Sequence, residues 1–276
     1  NPVASLRVKA AIGTYKASAI VVDSMQTNLS KLASHPIMVK PGTEGLLVKG
    51  LVKSVLDQDL VDLDVTGQTP QAFNALKQAA DAISLDEVAK QTGISAEQIN
   101  DIAKIFAEAP RSIIFCGEGI VRQQNGYNNV LNLVDFAWIT GKLNKEGSGI
   151  NTVVEEGNEQ GALDMGAAPE FLPGPVAFDD EAAKEKYSKA WGASLSTAHD
   201  GSTLMDILQG CRDGKIKALY VVGENPLATL PKSFGIDKAL SNLKLLICQD
   251  PFLTDTAQQA HIVFPACTFA EKDGTV

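Results

Sequence analysis

The chain is 276 residues long, 45% hydrophobic and 21% charged, with a formal net charge of −9. That length allows one large or two ordinary domains. The acidic balance weighs against a nucleic-acid binder, because phosphate recognition depends on Lys and Arg. No apolar run reaches the roughly 18 residues of a membrane span, so no direct membrane insertion is expected. The opening Asn1-Pro2-Val3-Ala4-Ser5-Leu6-Arg7 lacks the basic-then-apolar order of a signal peptide and reads as a cut or processed start.

In chain order, residues 2–16 are predicted as a helix, with Pro2 in the first turn and Val3, Leu6, Ala10 and Ala11 as its apolar positions. A strand over 18–23 ends at Asp23, a short helix covers 27–33, and a second strand covers 36–40. The spacing of Leu46, Leu47, Leu51 and Val55 predicts a helix over 43–57. Residues 58–110 show no strand pattern and read as a helical insertion. Its capping boxes are Ser84-Leu-Asp-Glu87 and Ser95-Ala-Glu-Gln98. A strand at 112–116 then runs into Gly117-Glu118-Gly119, followed by a long helix over about 128–140. Between Lys142 and Pro175 more than thirty residues show no clear element, which is unusual outside functional loops. Residues 176–192 read as an acidic helix, 197–202 as a linker, and 203–213 as a helix.

The run Lys217-Ala-Leu-Tyr-Val-Val-Gly223 reads as a strand buried on both faces of a parallel sheet, because it is apolar without alternation. Strands at 244–249 and 261–264 close the chain, with a short helix at 254–259 between them. The alternation of strands and helices gives an α/β fold with two Rossmann-like lobes and mainly parallel sheets. The lobes are expected at 1–200 and 201–276. Four strand ends rich in Gly, Asp and Asn define one candidate ligand surface, because ligands of open α/β sheets sit outside the carboxyl ends of the strands.

The residues themselves carry little overt catalytic chemistry. Gly117-Glu118-Gly119 has the start of a dinucleotide fingerprint, yet Arg122 stands where the third glycine belongs, so a tight turn explains it equally well. Asp23 and Asp250 are turn residues on spacing alone, with acceptance from purine N–H groups or a ribose hydroxyl as the functional reading. There is no G-x-S-x-G elbow. Cys116, Cys211, Cys248 and Cys267 form no C-x-x-C pair, and His35, His199 and His261 complete no zinc or iron–sulfur spacing. No catalytic residue and no metal ligand is assigned. Glu155-Glu156 reads as a solvated loop pair.

Taken together, the motifs resemble the molybdopterin oxidoreductase family. The segments carrying the resemblance are Asn1-Pro2-Val3, Ile20-Val-Val-Asp23, Pro41-Gly-Thr43, Ile139-Thr-Gly141, Gly147-Ser-Gly-Ile-Asn151, Asn158-Glu-Gln-Gly-Ala-Leu-Asp-Met-Gly166, Leu172-Pro-Gly174 and Gly223-Glu-Asn-Pro226. The most specific are Gln249-Asp-Pro-Phe-Leu-Thr-Asp-Thr-Ala257, Phe264-Pro-Ala266 and Ala270-Glu-Lys-Asp-Gly-Thr275. The branches resembled are the large molybdopterin-type subunit of NADH:quinone oxidoreductase (complex I) and the alpha subunit of formate dehydrogenase. The resemblance implies a molybdopterin guanine dinucleotide held by Asp23, Thr27, Gly117, Gly119, Asp164, Gly223, Asn225, Asp250 and Thr254. It places iron–sulfur clusters, and a metal-ligating Cys or selenocysteine, only in flanking regions. It further implies partner subunits of a respiratory or formate-oxidising complex, and a cytoplasmic protein, peripheral on the inner membrane face through those partners.

Two departures favour the complex I branch. Active members read Asp-Pro-Arg-Arg-Thr after the first strand, whereas this chain reads Asp23-Ser-Met-Gln-Thr27. The guanidinium groups suited to an anionic cofactor are therefore gone. Formate dehydrogenases carry an Arg seven residues before the Gly-Ala of the Asp-Met-Gly motif; here Val154 occupies that position. The first expectation is thus part of a complex I large subunit, supporting electron transfer without its own catalytic centre, in a branch that can lack molybdenum. The alternative is the cofactor-binding part of a molybdenum or tungsten formate dehydrogenase. A third reading, a stand-alone nucleotide-binding module, uses Gly117–Arg122.

Overall fold

The computed structural model describes residues 2–143, 145–154, 157–195 and 201–275. The chain divides into two compact units, 1–155 and 156–276. In the first, helix Pro2–Gly13 precedes β1 (Ile20–Asp23), a 3-10 turn at Ser30–Leu32, and β2 (His35–Met38). Helices Glu44–Asp57, Leu63–Thr66, Pro70–Asp81, Leu85–Thr92 and Ala96–Glu108 follow, so 58–110 is helical as expected. Then come β3 (Ile113–Cys116), the single turn Glu118–Val121, helix Gly126–Ile139 and β4 (Gly149–Thr152). β1 pairs with β2 and β3 with β4, both in parallel.

Helix Glu44–Asp57 is the hub of this unit. Its Leu47, Leu51, Val52 and Val55 are buried with Ile99, Ile102, Phe136 and Ile139, against which Ile20, Ile37 and Ile114 of the strands pack. Apolar spacing of this kind fixes the helix by tertiary burial more than by intrinsic propensity. Thr43 does not cap it: the Thr43 hydroxyl donates back to the Lys40 carbonyl at 2.6 Å. The capping box at Ser95 and Gln98 forms as expected, whereas at Ser84 the structure shows only the Ser84 half, accepting from the Glu87 N–H.

The second unit holds helix Glu159–Asp164, the antiparallel pair β5 (Phe171–Leu172) and β6 (Val176–Ala177), and helices Glu181–Trp191 and Leu204–Arg212. The linker expected at 197–202 falls largely outside the described residues. A parallel sheet of order β7 (Ala218–Val222), β8 (Leu245–Asp250), β9 (Ile262–Pro265) completes it. Leu208, Cys211, Val221, Ile236, Leu240 and Leu246 form its core. The expectation that β7 is buried on both faces is corrected here. Ala218, Tyr220 and Val222 are exposed while Val221 is buried, so helices cover one face only. An unbroken apolar run does not specify which of its faces has a neighbour.

The stretch 142–175, read as lacking elements, contains β4, helix Glu159–Asp164 and β5, whose partner β6 follows directly. Gly149-Ile-Asn-Thr152 has a single aliphatic residue, and its strand character comes from register with Ile113–Cys116 rather than from composition.

Two local features are directly testable. A Cβ at Gly126 would run into the Val121 carbonyl oxygen, whereas one at Gly13 meets nothing. Gly126→Ala is expected to cost about 1–3 kcal/mol in urea unfolding, and Gly13→Ala no more than about 0.5 kcal/mol. Lys142 is buried, and its ammonium donates to the Ala107 and Ala109 carbonyls at the end of helix Ala96–Glu108. Desolvation, helped by Lys145 and opposed by Asp62, lowers its pKa below 10.5. A lowered folded value means that the unfolded state binds more protons between the two values, so stability gained from this residue rises with pH there. The stability of the parent relative to Lys142→Met should therefore increase from neutral pH toward 10.5 when compared by denaturant titration; a difference that is flat or falling with pH would contradict this.

Candidate functional site

In the second unit, register Val222↔Gln249 makes β7 and β8 stop together, which sets Gly223 beside Asp250 on one rim. Gly223 has φ +64°, a left-handed turn conformation, and its N–H donates to the Gln249 carbonyl at 2.8 Å. Asp250 is buried, and its Oδ1 accepts from the Phe252 N–H at 2.8 Å, holding the loop after β8. Asn225 joins the two loops: its Oδ1 accepts from the Thr256 hydroxyl at 2.7 Å and the Thr256 N–H at 3.2 Å. The Thr256 hydroxyl in turn accepts from the Leu227 N–H at 3.3 Å. Thr254 caps the helix Asp255–Gln259 by accepting from the Ala257 N–H.

Gly223, Asn225, Asp250 and Thr254, all four expected from the sequence, thus share one assembled rim. Thr256, fully buried, escaped the sequence reading. It follows a capping threonine by two residues and looks like ordinary helix sequence, and its role appears only once β7 and β8 are paired. Tyr220 and Gln249 were also missed; the Tyr220 hydroxyl donates to Gln249 Oε1 at 2.5 Å beside the same rim.

Asp164 sits elsewhere in this unit, at the exposed end of helix Glu159–Asp164. Its carboxylate accepts from the Gln160 amide, and its backbone carbonyl from the Gly174 N–H at 2.7 Å. The Asn158–Gly166 and Leu172–Gly174 motifs are therefore one structural feature. Asn158, at φ +55°, accepts from the Gly161 N–H and starts the helix.

In the first unit, Asp23 ends β1 and accepts from the Met25 N–H at 3.1 Å. Thr27 exchanges hydrogen bonds with Ser30, which fastens the 3-10 turn after the β1 loop. Gly117 and Gly119 are exposed at the end of β3, with open space where a Cβ would stand. Glu118 pairs with Arg122 at 2.6 Å across the single turn that follows. The loop is tied to helix Glu44–Asp57 through Gln123, whose amide donates to Glu44 and to the Gly119 carbonyl. β1 and β3 belong to separate hydrogen-bonded pairs, so the strand ends form two rims here and one in the second unit, not a single continuous sheet edge. Glu155 and Glu156 lie outside the described residues.

Cys116, Cys211 and Cys248 are buried, and desolvation raises each thiol's pKa, with Asp250 adding to the effect at Cys248. These thiols are inert packing groups at neutral pH. Among the described residues no group of His, Cys, Asp and Glu is arranged to hold a metal ion.

Comparison with known proteins decides the family: the model for molybdopterin oxidoreductases matches residues 2–276. The chain belongs to the molybdopterin oxidoreductase family. It is 31% identical over 258 residues to formate dehydrogenase H of Escherichia coli (strain K12), covering 94% of this chain and 36% of that protein. It is 35% identical over 257 residues to F420-dependent formate dehydrogenase 1 subunit alpha of Methanococcus maripaludis, covering 93% and 37% respectively. The chain thus spans little more than a third of the length of these relatives. Acetylene hydratase from Pelobacter acetylenicus shares the fold, with a TM-score of 0.69 at 22% identity over 94% of this chain and 38% of that one. These relatives favour the formate dehydrogenase branch over the complex I branch expected first.

The Asn225–Thr256 clasp generates a prediction. Asn225→Ala leaves the buried Thr256 N–H and hydroxyl without their acceptor and should cost about 1–3 kcal/mol of stability. Combined with Thr256→Val in a double-mutant cycle, the pair should show coupling of at least about 0.5 kcal/mol; strict additivity would show that the clasp carries no energy.

Proposed function

We propose that this chain is the cofactor-cradling part of a longer molybdopterin-dependent oxidoreductase subunit of the formate dehydrogenase type, working with partner subunits. The observation that carries the reading is the rim on which Gly223 and Asp250 stand side by side, locked by Asn225 and Thr256. In open α/β sheets such a rim is where nucleotide ligands bind. The donor set fits a guanine dinucleotide arm. Gly223 lets the backbone approach closely, and exposed turn amides suit phosphate oxygens on a chain of net charge −9. The Asp250 carboxylate suits purine N–H groups. In the first unit Asp23, Thr27, Gly117 and Gly119 are assigned to the second arm, and in the second unit Asp164 ties its own loop to Gly174 through its backbone carbonyl.

When bound, the group supplies two-electron redox chemistry at a metal. This chain's residues bind and orient the nucleotide arms. A first-strand loop reading Ser24-Met25-Gln26 holds phosphates through backbone amides rather than guanidinium charge. No helix among the described residues is long and apolar enough to cross a membrane, so membrane attachment in this proposal runs through partners.

A second reading is favoured by that same Ser24-Met25-Gln26 and by Val154: a scaffold of the complex I large-subunit type, retaining the fold without the metal. Metal analysis and fluorescence of released pterin on the full-length protein separate the two. The first reading expects about one molybdenum or tungsten per chain with pterin present, and Asp250→Ala should lower both at least about tenfold, a loss of about 1.4 kcal/mol in binding. A folded protein with neither metal nor pterin would leave the scaffold.

A further inference from the structure

β1 and β2 form a two-stranded sheet, and among the described residues no strand pairs with the far edge of β2. The register identifies the groups on that edge. The His35 and Val39 N–H groups donate to the Ala19 and Asp23 carbonyls on the β1 side, and His35 lies opposite Ile20. By alternation Ile37 also serves β1, while Pro36 and Met38 turn their backbone groups the other way. The Lys40 N–H fixes what lies there, because it donates to the Thr92 carbonyl at 2.9 Å. Beyond that bond the edge opens into a cavity of about 520 Å³. Pro36, Ile37 and Met38 bound it on one side, and Gly93, Ile94 and Gln98 of the helical insertion on the other.

Toward this cavity the edge presents, in order, the Pro36 carbonyl, the Met38 N–H and the Met38 carbonyl. Pro36 has no N–H, so an added peptide strand meets one donor where a ladder needs two. A compact planar ring needs only one. Ile37 and Ile94 are buried and give the cavity an apolar floor, while the exposed Met38 carries a thioether that packs well on aromatic rings. The lining contains Lys31 and no carboxylate, in a chain with 33 Asp and Glu against 24 Lys and Arg. Among the described residues the Lys31 ammonium has no hydrogen-bond or ion-pair partner. Gln98 Oε1 accepts from the Ser95 N–H at 3.1 Å, which leaves its amide N–H groups for an occupant.

We propose that this cavity binds an adenine nucleotide. The exocyclic N6–H of adenine donates to the Pro36 carbonyl, ring N1 accepts from the Met38 N–H, and C2–H lies toward the Met38 carbonyl. Lys31 supplies the charge for the phosphates. Guanine and hypoxanthine carry a carbonyl at C6 and an N–H at N1. They set acceptor against the Pro36 carbonyl and donor against the Met38 N–H, so the same edge rejects them. The volume lies within the range of small-ligand sites. Gln26 and Gln98 stand on opposite walls, so an occupant braces the loop after β1 against the helical insertion. The inference uses none of Asp23, Thr27, Gly117 or Gly119, and stands whether or not a guanine dinucleotide binds at the strand ends.

Hydrogen-exchange mass spectrometry of the full-length protein, titrated with ADP, tests it. Saturable slowing is expected in peptides spanning 29–40 and 90–98, at concentrations at least about tenfold below those needed for IDP, GDP or inorganic pyrophosphate. Lys31→Gln should weaken ADP at least about threefold and leave adenosine unaffected; an equal effect on both would overturn the phosphate assignment. Met38→Pro removes the one donor from the edge without touching a bond to β1, as Pro36 already does two residues earlier, and should abolish the slowing by ADP. Unchanged slowing in a folded Met38→Pro protein would overturn the proposal. Where that variant does not fold, the nucleotide series decides. No saturable slowing in these peptides at millimolar ADP, or equal slowing by IDP, GDP or pyrophosphate, would overturn it.

Discussion

The arrangement depends on one constraint, the parallel register of β7 with β8. Parallel strands end on the same side, so a register of Val222 opposite Gln249 leaves a left-handed glycine turn and a buried aspartate no choice but to adjoin. The two loops would otherwise be free to move independently. Asn225 converts proximity into a fixed rim by giving one amide oxygen to both the N–H and the hydroxyl of Thr256. Because Thr256 is fully buried, that acceptor cannot be replaced cheaply by water.

Electrostatics point the same way. A protein of net charge −9 that holds a polyanionic ligand must place partial positive charge locally, and turn amides at strand ends do so without adding formal charge. The Glu118–Arg122 pair neutralises the one guanidinium in the turn after β3, and as an exposed pair it adds little stability. In the proposed cradle, Met25 and Gln26 at the two Arg positions of the family loop would move the burden further onto backbone groups. The Asn225–Thr256 contact fixes the loops of its rim, and the Gln123–Glu44 contact fixes the turn after β3, each within its own unit.

Strand identity was legible because Ile20–Asp23, Ile113–Cys116, Ala218–Val222 and Leu245–Asp250 are β-favouring runs that stop at Gly or Asp. Helix Glu44–Asp57 was legible from its apolar spacing, and the Ser95–Gln98 cap from its paired side chains. β4 was not, since Gly149-Ile-Asn-Thr152 becomes a strand only by pairing with β3. The exposed face of β7 was hidden because hydrophobicity records what a residue tolerates and says nothing of which neighbour arrives. Thr256 was invisible for a related reason: its partner lies 31 residues away, and only the β7–β8 register brings them together. Local chemistry was therefore readable, and long-range pairing was readable only through family motifs.

Hydrogen-exchange mass spectrometry of the cofactor-free full-length protein, titrated with guanosine diphosphate, addresses the rim most directly. Saturable slowing confined to peptides spanning 219–229 and 247–257, and to the loops at Asp23 and Gly117, is the result expected. No change in any of these peptides at millimolar nucleotide, or slowing at sites away from the strand ends, would contradict the assignment of these rims as a nucleotide cradle.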